Sequence, residues 1–179
     1  MRLFVGIALP EETHDRLAML KGGLKGARWL APENLHLSLR FIGEITGSME
    51  RDIDAALQTV GGNSFSLSLS KLGAFERRGR VHQVWAGVEN PEPVAALRDK
   101  IDSALVRCGC APEHRKFKPH VTVARLKGGS TADAGLYLIQ HAGFLAGPFT
   151  VEKFTLFESH LGTGGAHYVV LADYPLNVI

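Results

Sequence analysis

The sequence has few cysteines, no long apolar segment and almost no excess of charge. It contains only Cys108 and Cys110 in 179 residues. Two cysteines are too few for a disulfide framework and fit a reducing compartment, so we expect a cytoplasmic protein. No apolar run approaches the roughly 20 residues that a membrane-spanning helix needs, so we expect no membrane segment. The net charge of +2 is too small to indicate nucleic-acid binding through bulk electrostatics.

Positive charge is instead concentrated in two short clusters. They consist of Arg77, Arg78 and Arg80, and of Arg115, Lys116 and Lys118. Each cluster suits a polyanionic ligand, and each is also typical of an ordinary solvated turn.

A zinc site is conceivable in the segment CGCAPEH, which contains Cys108, Cys110 and His114. Structural zinc sites normally use four ligands with a wider cysteine spacing. We therefore expect no metal and no other cofactor, and we interpret the segment as the end of a helix.

Hydrophobic periodicity divides the chain into strands and helices. Strand patterns cover residues 2–9, 35–43, 65–72, 81–89, 120–126, 149–159 and 167–176, and helical patterns cover residues 10–21, 48–60, 93–108 and 132–142. This order is typical of an α+β fold with antiparallel pairing. No Ser- or Pro-rich linker interrupts the chain, so we expect one domain over residues 1–179 with two similar halves.

Each half contains a strand of the form His-apolar-hydroxyl-apolar, HLSL at 36–39 and HVTV at 120–123. Residues two apart in a strand share a face. His36 therefore lies beside Ser38, and His120 lies beside Thr122, while the intervening Leu and Val residues face the core. One such strand is unremarkable, but two in one chain favour a functional site.

Two imidazoles and two hydroxyls suit the opening of a cyclic phosphodiester. Imidazole has an unperturbed pKa near 6.5, so one ring can activate water and the other can protonate the leaving oxygen. The hydroxyls can donate to the phosphate oxygens, and an arginine can offset their charge. Arg125 is the first candidate, although strict alternation turns it away from His120 unless the strand ends or twists before it. Arg40, on the His36 face by strict alternation, is the second candidate.

These residues resemble the two-histidine (2H) phosphoesterase superfamily, and within it the bacterial and archaeal RNA 2′,3′-cyclic phosphodiesterases, also called 2′-5′ RNA ligase-like proteins. The similarity extends over RLFVGIALP, ARWLAPENLHLSLRFIGE, LGAFERRGRVHQVWAGV, FKPHVTVARL and a closing strand pair that ends in YPL. The resemblance implies a bilobed, pseudo-twofold fold in which two antiparallel sheets line a central cleft and the helices lie outside.

The resemblance also implies an activity and a role for each matching residue. The activity is the metal-independent opening of a 2′,3′-cyclic phosphate on RNA to a 2′-phosphomonoester, with weak reverse 2′-5′ ligation in some members. His36 matches the general acid and His120 the general base. Ser38, Thr122 and Arg125 match the phosphate-binding residues; the first motif has Ser where Thr is usual.

Phe41 follows His36 by five residues, as Arg125 follows His120. The resemblance suits it to stacking on a nucleobase, and core packing is the alternative.

Two other functions are compatible with the same residues. One is a cyclic phosphodiesterase for small nucleotides, and the other is a non-catalytic RNA or nucleotide binder. Retention of all four motif groups favours catalysis. We expect a monomer whose partner is an RNA or nucleotide with a 2′,3′-cyclic phosphate.

Overall fold

A computed structural model describes residues 1–179 as nine strands and four α-helices. The strands are β1 (Arg2–Ala8), β2 (Arg28–Trp29), β3 (His36–Glu44), β4 (Phe65–Arg77), β5 (Arg80–Val88), β6 (His120–Gly129), β7 (Leu145–Val151), β8 (Lys153–Gly162) and β9 (Gly165–Pro175). The helices are α1 (Glu11–Ala18), α2 (Gly47–Gln58), α3 (Glu92–Arg107) and α4 (Thr131–Gln140), and a 3-10 turn covers Pro32–Asn34. The predicted α+β class is confirmed.

The strands form two sheets in which every neighbouring pair is antiparallel. The first sheet has the order β3-β1-β8-β9, and the second has the order β2-β6-β5-β4-β7. Helices α2 and α3 pack against the first sheet, and α1 and α4 pack against the second. The two motif strands, β3 and β6, contact each other. The predicted pair of antiparallel sheets with helices packed against them is confirmed.

One apolar core of 36 buried residues extends through both sheets. Leu37 and Val121, the apolar residues inside the two motifs, are fully buried in it. Their burial anchors the motif strands and leaves the alternate side chains facing away from the core. The continuous core suits a single domain, while its division into two similar, interleaved lobes stays a prediction.

The predicted strand at 149–159 is wrong in one respect, because it is two strands in different sheets. β7 ends at Val151 and pairs with β4 in the second sheet. β8 begins at Lys153 and pairs with β1 and β9 in the first sheet. The chain therefore changes sheet at Glu152. None of the four helices is both long enough and apolar enough to cross a bilayer.

Candidate active site

A cleft with a volume of about 1330 Å³ brings the two motifs together. His36 and Ser38 contribute from β3, and His120 and Thr122 contribute from β6. Arg125 lines the same cleft. The structure thus places all four polar motif groups and the first-choice arginine around one space.

Equivalent bulges in β3 and β6 explain the position of Arg125. Leu39 is an extra residue in the pairing of β3 with β1, and Val123 is an extra residue in the pairing of β6 with β5. An extra residue interrupts the two-residue alternation of a strand. Beyond each bulge, Phe41 and Arg125 return to the face that carries the histidines.

The same bulge removes Arg40 from the proposed phosphate-binding set. Its side chain is only 6% exposed, and its Nε donates to Asp102 Oδ1 of α3 at 2.5 Å. Its other nitrogens donate to the carbonyl oxygens of Phe41 and Ala111. The prediction that Arg40 shares the face of His36 is therefore wrong, because strict alternation ends at Leu39. Arg40 borders the cleft with its guanidinium committed to a structural ion pair.

Phe41 lies on the cleft surface. The residue is 47% exposed, and its ring centroid lies 5.6 Å from that of Phe4. Core packing, the alternative to base stacking, does not describe a ring of this exposure. One open face near His36 is what a stacking role requires.

A backbone carbonyl fixes the tautomer of each histidine. His36 Nδ1 donates to the Asn34 carbonyl at 2.9 Å, and His120 Nδ1 donates to the Lys118 carbonyl at 2.7 Å. A carbonyl only accepts, so Nδ1 carries the hydrogen in both neutral rings. Nε2 is then the atom that can take up a proton. In His36, Nε2 lies 3.0 Å from Ser38 Oγ, which donates to it in this tautomer.

Both histidines are neutral at about pH 7 because their environment disfavours the imidazolium form. Burial lowers the pKa of His36 to about 4, and the Asn34 carbonyl opposes the change. The charge of Arg125, and that of His120 when it is protonated, lower the pKa further. Burial also lowers the pKa of His120, and the charges of Lys118 and Arg125 act in the same direction. Arg125 therefore acts electrostatically on both rings.

Aromatic rings enclose His36 on several sides. Its ring centroid lies 4.7 Å from that of Phe4, 5.0 Å from that of Tyr168 and 5.9 Å from that of Phe157. The motif predicts none of these contacts, because the three residues belong to other strands. The segment HYVVLADYPL predicts a strand at Tyr168 but not what that strand packs against.

His120 has a smaller aromatic surround. The centroids of Phe75 and Trp85 lie 5.0 Å and 5.8 Å from that of His120. Trp85 also packs closely against Gly73, where an added Cβ would lie 2.3 Å from the indole. Lys118 Nζ lies 4.6 Å from the centre of the Trp85 ring. A glycine within the alternating strand is the one local signal that a ring approaches closely there.

The cleft also collects positive charge. Arg77 of the first basic cluster and Arg115, Lys116 and Lys118 of the second line it, whereas Arg78 and Arg80 do not. Its lining has seven Lys or Arg residues against three Glu residues, while the whole chain has a net charge of only +2. The remainder of the molecule is therefore net negative. No group of three or more His, Cys, Asp or Glu side chains has an arrangement that would hold a metal ion.

Comparison with known proteins places this cleft in a family context. The sequence model of the 2′-5′ RNA ligase superfamily matches residues 9–163. The RNA 2′,3′-cyclic phosphodiesterase of Methanothermobacter thermautotrophicus is 32% identical, over 98% of this chain and 99% of that protein. The Escherichia coli K12 protein of the same name is 30% identical, over 98% of this chain and 96% of its own.

Solved structures agree with the sequence relatives. A Thermus thermophilus protein superposes with a TM-score of 0.83 at 25% identity, over 99% of both chains. Apo Escherichia coli LigT superposes with a TM-score of 0.79 at 26% identity, over 98% of this chain and 97% of that one. LigT has also been solved in complex with 3′-AMP. The chain belongs to the 2′-5′ RNA ligase superfamily.

Proposed function

We propose that this protein hydrolyses 2′,3′-cyclic phosphate ends of RNA to 2′-phosphomonoesters through acid–base catalysis by two histidines. The observation that supports it most directly is the pair His36 and His120 in one cleft, each with Nδ1 bound to a carbonyl and Nε2 available for proton transfer. The relatives named RNA 2′,3′-cyclic phosphodiesterase support the same reaction.

The proposed reaction is a single in-line displacement at phosphorus. Nε2 of His120 takes a proton from water, and the water oxygen forms a bond to phosphorus. The bond between phosphorus and the ribose 3′ oxygen breaks, and protonated His36 delivers its Nε2 proton to that oxygen. The products are a 2′-phosphate and a free 3′-hydroxyl. A 5′-hydroxyl in the place of water would give a 2′-5′ linkage instead, which is the weak ligation that the family resemblance implies.

Substrate binding lets His36 take up from solvent the proton that it later delivers. The free protein keeps His36 neutral, with a pKa of about 4. A phosphate anion beside the ring favours the imidazolium form and raises that pKa. Ser38, which contacts His36 Nε2 in the free protein, is then available to donate to a phosphate oxygen, as is Thr122. Arg125 offsets the charge that develops on those oxygens.

The histidine variants test the reaction without altering the cleft lining elsewhere. We expect His36→Ala and His120→Ala each to lower kcat by about 10²–10⁴-fold, the range for loss of a general acid or base. We also expect EDTA to leave the wild-type rate unchanged. Full activity in either variant, with melting temperatures confirming that both fold, would overturn the proposal. Tight binding without product at any pH would support the non-catalytic alternative.

The assignment of acid and base has its own test. A substrate with sulfur in place of the 3′ oxygen has a leaving group that needs little protonation. If His36 is the acid, this substrate restores much of the rate lost in His36→Ala and little of the rate lost in His120→Ala. Restoration in His120→Ala instead would reverse the two roles.

Cleft charge favours RNA over a small nucleotide as the substrate. Arg77, Arg115 and Lys116 line the cleft beyond the two motifs, where they would meet phosphates upstream of the cyclic end. We expect a higher kcat/KM for an oligonucleotide with a 2′,3′-cyclic phosphate than for the matching cyclic mononucleotide. Equal values would favour the small-nucleotide alternative.

A further inference from the structure

The two histidines have matching aromatic contacts from the two strands that follow each motif strand in its sheet. In the order β3-β1-β8 and the order β6-β5-β4, the motif strand comes first. The second strand supplies Phe4 to His36 and Trp85 to His120, and the third strand supplies Phe157 and Phe75 respectively. Each imidazole thus packs on one ring from each of the next two strands.

The match ends at the fourth strand. β9 brings Tyr168 against His36, with the ring planes at 89° and the centroids 5.0 Å apart. β7, which is the fourth strand of the other sheet when counted from β6, places no aromatic ring against His120. Tyr168 is half-buried, lines the cleft and also packs edge-on against Phe4. It is therefore the aromatic contact that His36 has and His120 lacks.

A hydrogen bond from Asn34 holds the β8–β9 hairpin against the His36 end of the cleft. Asn34 Nδ2 donates to the carbonyl of Ala166 in β9 at 2.9 Å. The carbonyl of the same Asn34 accepts from His36 Nδ1. Asn34 thus binds both the His36 imidazole and β9, the strand that carries Tyr168. These two bonds fix the position of the imidazole relative to that strand.

We propose that Tyr168 is a positioning residue that holds the His36 ring and shields it from water, so that the two histidines take different parts in the reaction. The assignment of different parts rests on the proposed function. The contact itself does not, because it is present in the free protein.

The groups that face His36 determine how its pKa changes when the Tyr168 ring is removed. Arg125 and His120 face it from β6, Ser38 from its own strand and Tyr168 from β9. Burial is the largest cause of the low pKa of His36, and the two β6 charges add to it. Water in the place of the tyrosine ring weakens the effect of burial, so the pKa rises from about 4 towards its ordinary 6.5 while Arg125 keeps it below that value.

Two substitutions separate the ring from its hydroxyl. Tyr168→Phe keeps the ring, and Tyr168→Leu replaces it with a smaller side chain that leaves room for water beside His36. We expect the imidazole NMR titration of His36 to be unchanged in Tyr168→Phe. In Tyr168→Leu we expect its midpoint to rise by more than about one pH unit and kcat to fall roughly tenfold, with KM nearly constant, because the ring loses its aligned position.

Val169→Ala is the matched control, since Val169 is the next residue of β9 and does not line the cleft. We expect it to leave both the titration of His36 and kcat unchanged. An unchanged His36 titration in Tyr168→Leu would overturn the proposal, and so would equal losses in Tyr168→Phe and Tyr168→Leu. The titration needs no substrate, so an inactive wild-type protein would refute the proposed function without deciding this contact.

Discussion

At the scale of single residues, Arg125 is the charge that both histidines share. Its guanidinium lowers the pKa of His36 and of His120, and it lies on the face where a phosphate would bind. We expect Arg125→Ala to lower kcat by about 10²–10³-fold, as loss of an oxyanion-stabilising donor does. Arg125→Lys retains the charge without the two-pronged donor, so we expect an intermediate value. Steady-state kinetics measures both, and an unchanged kcat in Arg125→Ala would contradict this role.

The burial of His36 also has a consequence for stability. Its folded pKa of about 4 lies below the ordinary value of 6.5. Between these two values the unfolded chain binds more protons than the folded one, so stability is complete above about pH 6.5 and falls as the pH approaches 4. We expect the free energy of unfolding, measured with urea, to fall between about pH 7.5 and about pH 4.5. We expect this fall to be about 2 kcal/mol larger in the wild type than in His36→Gln.

The other seven histidines are common to both proteins in this comparison, so the difference isolates His36. Equal losses in the wild type and His36→Gln would mean that His36 titrates normally in the folded protein.

At the scale of elements, the β3 bulge turns the Arg40 guanidinium towards α3, where it pairs with Asp102. Its partner Asp102 is 19% exposed. Removal of one member of a buried pair leaves the other without compensation. We expect Asp102→Asn to lower the free energy of unfolding by about 2–3 kcal/mol, measured by urea denaturation.

Asp99 offers a control on the same helix. It pairs with Arg98 at 3.2 Å, but its side chain is 73% exposed. Exposed pairs contribute little, so we expect Asp99→Asn to change stability by less than about 0.5 kcal/mol. Similar effects of the two substitutions would contradict the structural role of the Arg40 pair.

The alternation of polar and apolar residues within the strands predicted the orientation of the two motifs correctly. It failed for the residues after each bulge. His36, Ser38, His120 and Thr122 lie on the cleft side as predicted, because the apolar residues between them are buried. The bulges were not predictable, since an extra residue is defined only by its pairing with the neighbouring strand. The orientation of Arg40 was therefore wrong, and the twist expected before Arg125 has its physical origin in the same feature.

The sequence pattern did not predict the change of sheet at Glu152, for a related reason. Residues 149–159 are rich in β-branched and aromatic residues throughout, which is typical of one continuous strand. Only the two partners, β4 for β7 and β1 for β8, reveal that the segment serves different sheets. The aromatic surround of His36 is equally nonlocal, because Phe4, Phe157 and Tyr168 come from three other strands.

At the scale of the whole molecule, the distribution of charge matters more than its sum. A net charge of +2 hides a basic cleft in an otherwise acidic molecule. Each contact to a phosphate of single-stranded RNA contributes a slope of about −0.7 to the dependence of log affinity on log salt. We expect the double substitution Arg77→Ala and Lys116→Ala to flatten that slope by about 1.4 for an oligonucleotide substrate, measured as kcat/KM under subsaturating conditions.

Lys25 and Arg51 serve as the control pair, because both are exposed and neither lines the cleft. Their double substitution with alanine removes the same formal charge, and we expect it to leave the slope nearly unchanged. Equal slopes in the two double variants would mean that net charge, rather than the cleft, attracts the substrate. The cyclic mononucleotide has no upstream phosphate, so its salt dependence should respond to neither pair.

The change of sheet at Glu152 also sets the order in which the site can be completed during synthesis. The strands β4, β5, β6 and β7 of the second sheet follow one another along the chain, so His120 has its full support once residue 151 has emerged. The first sheet needs β8 to pair with β1, a contact across some 150 residues, and β9 to pair with β8. Until the last hairpin is made, His36 stands on a two-stranded ribbon without Phe157 or Tyr168. His36 therefore acquires its complete aromatic surround later than His120 does.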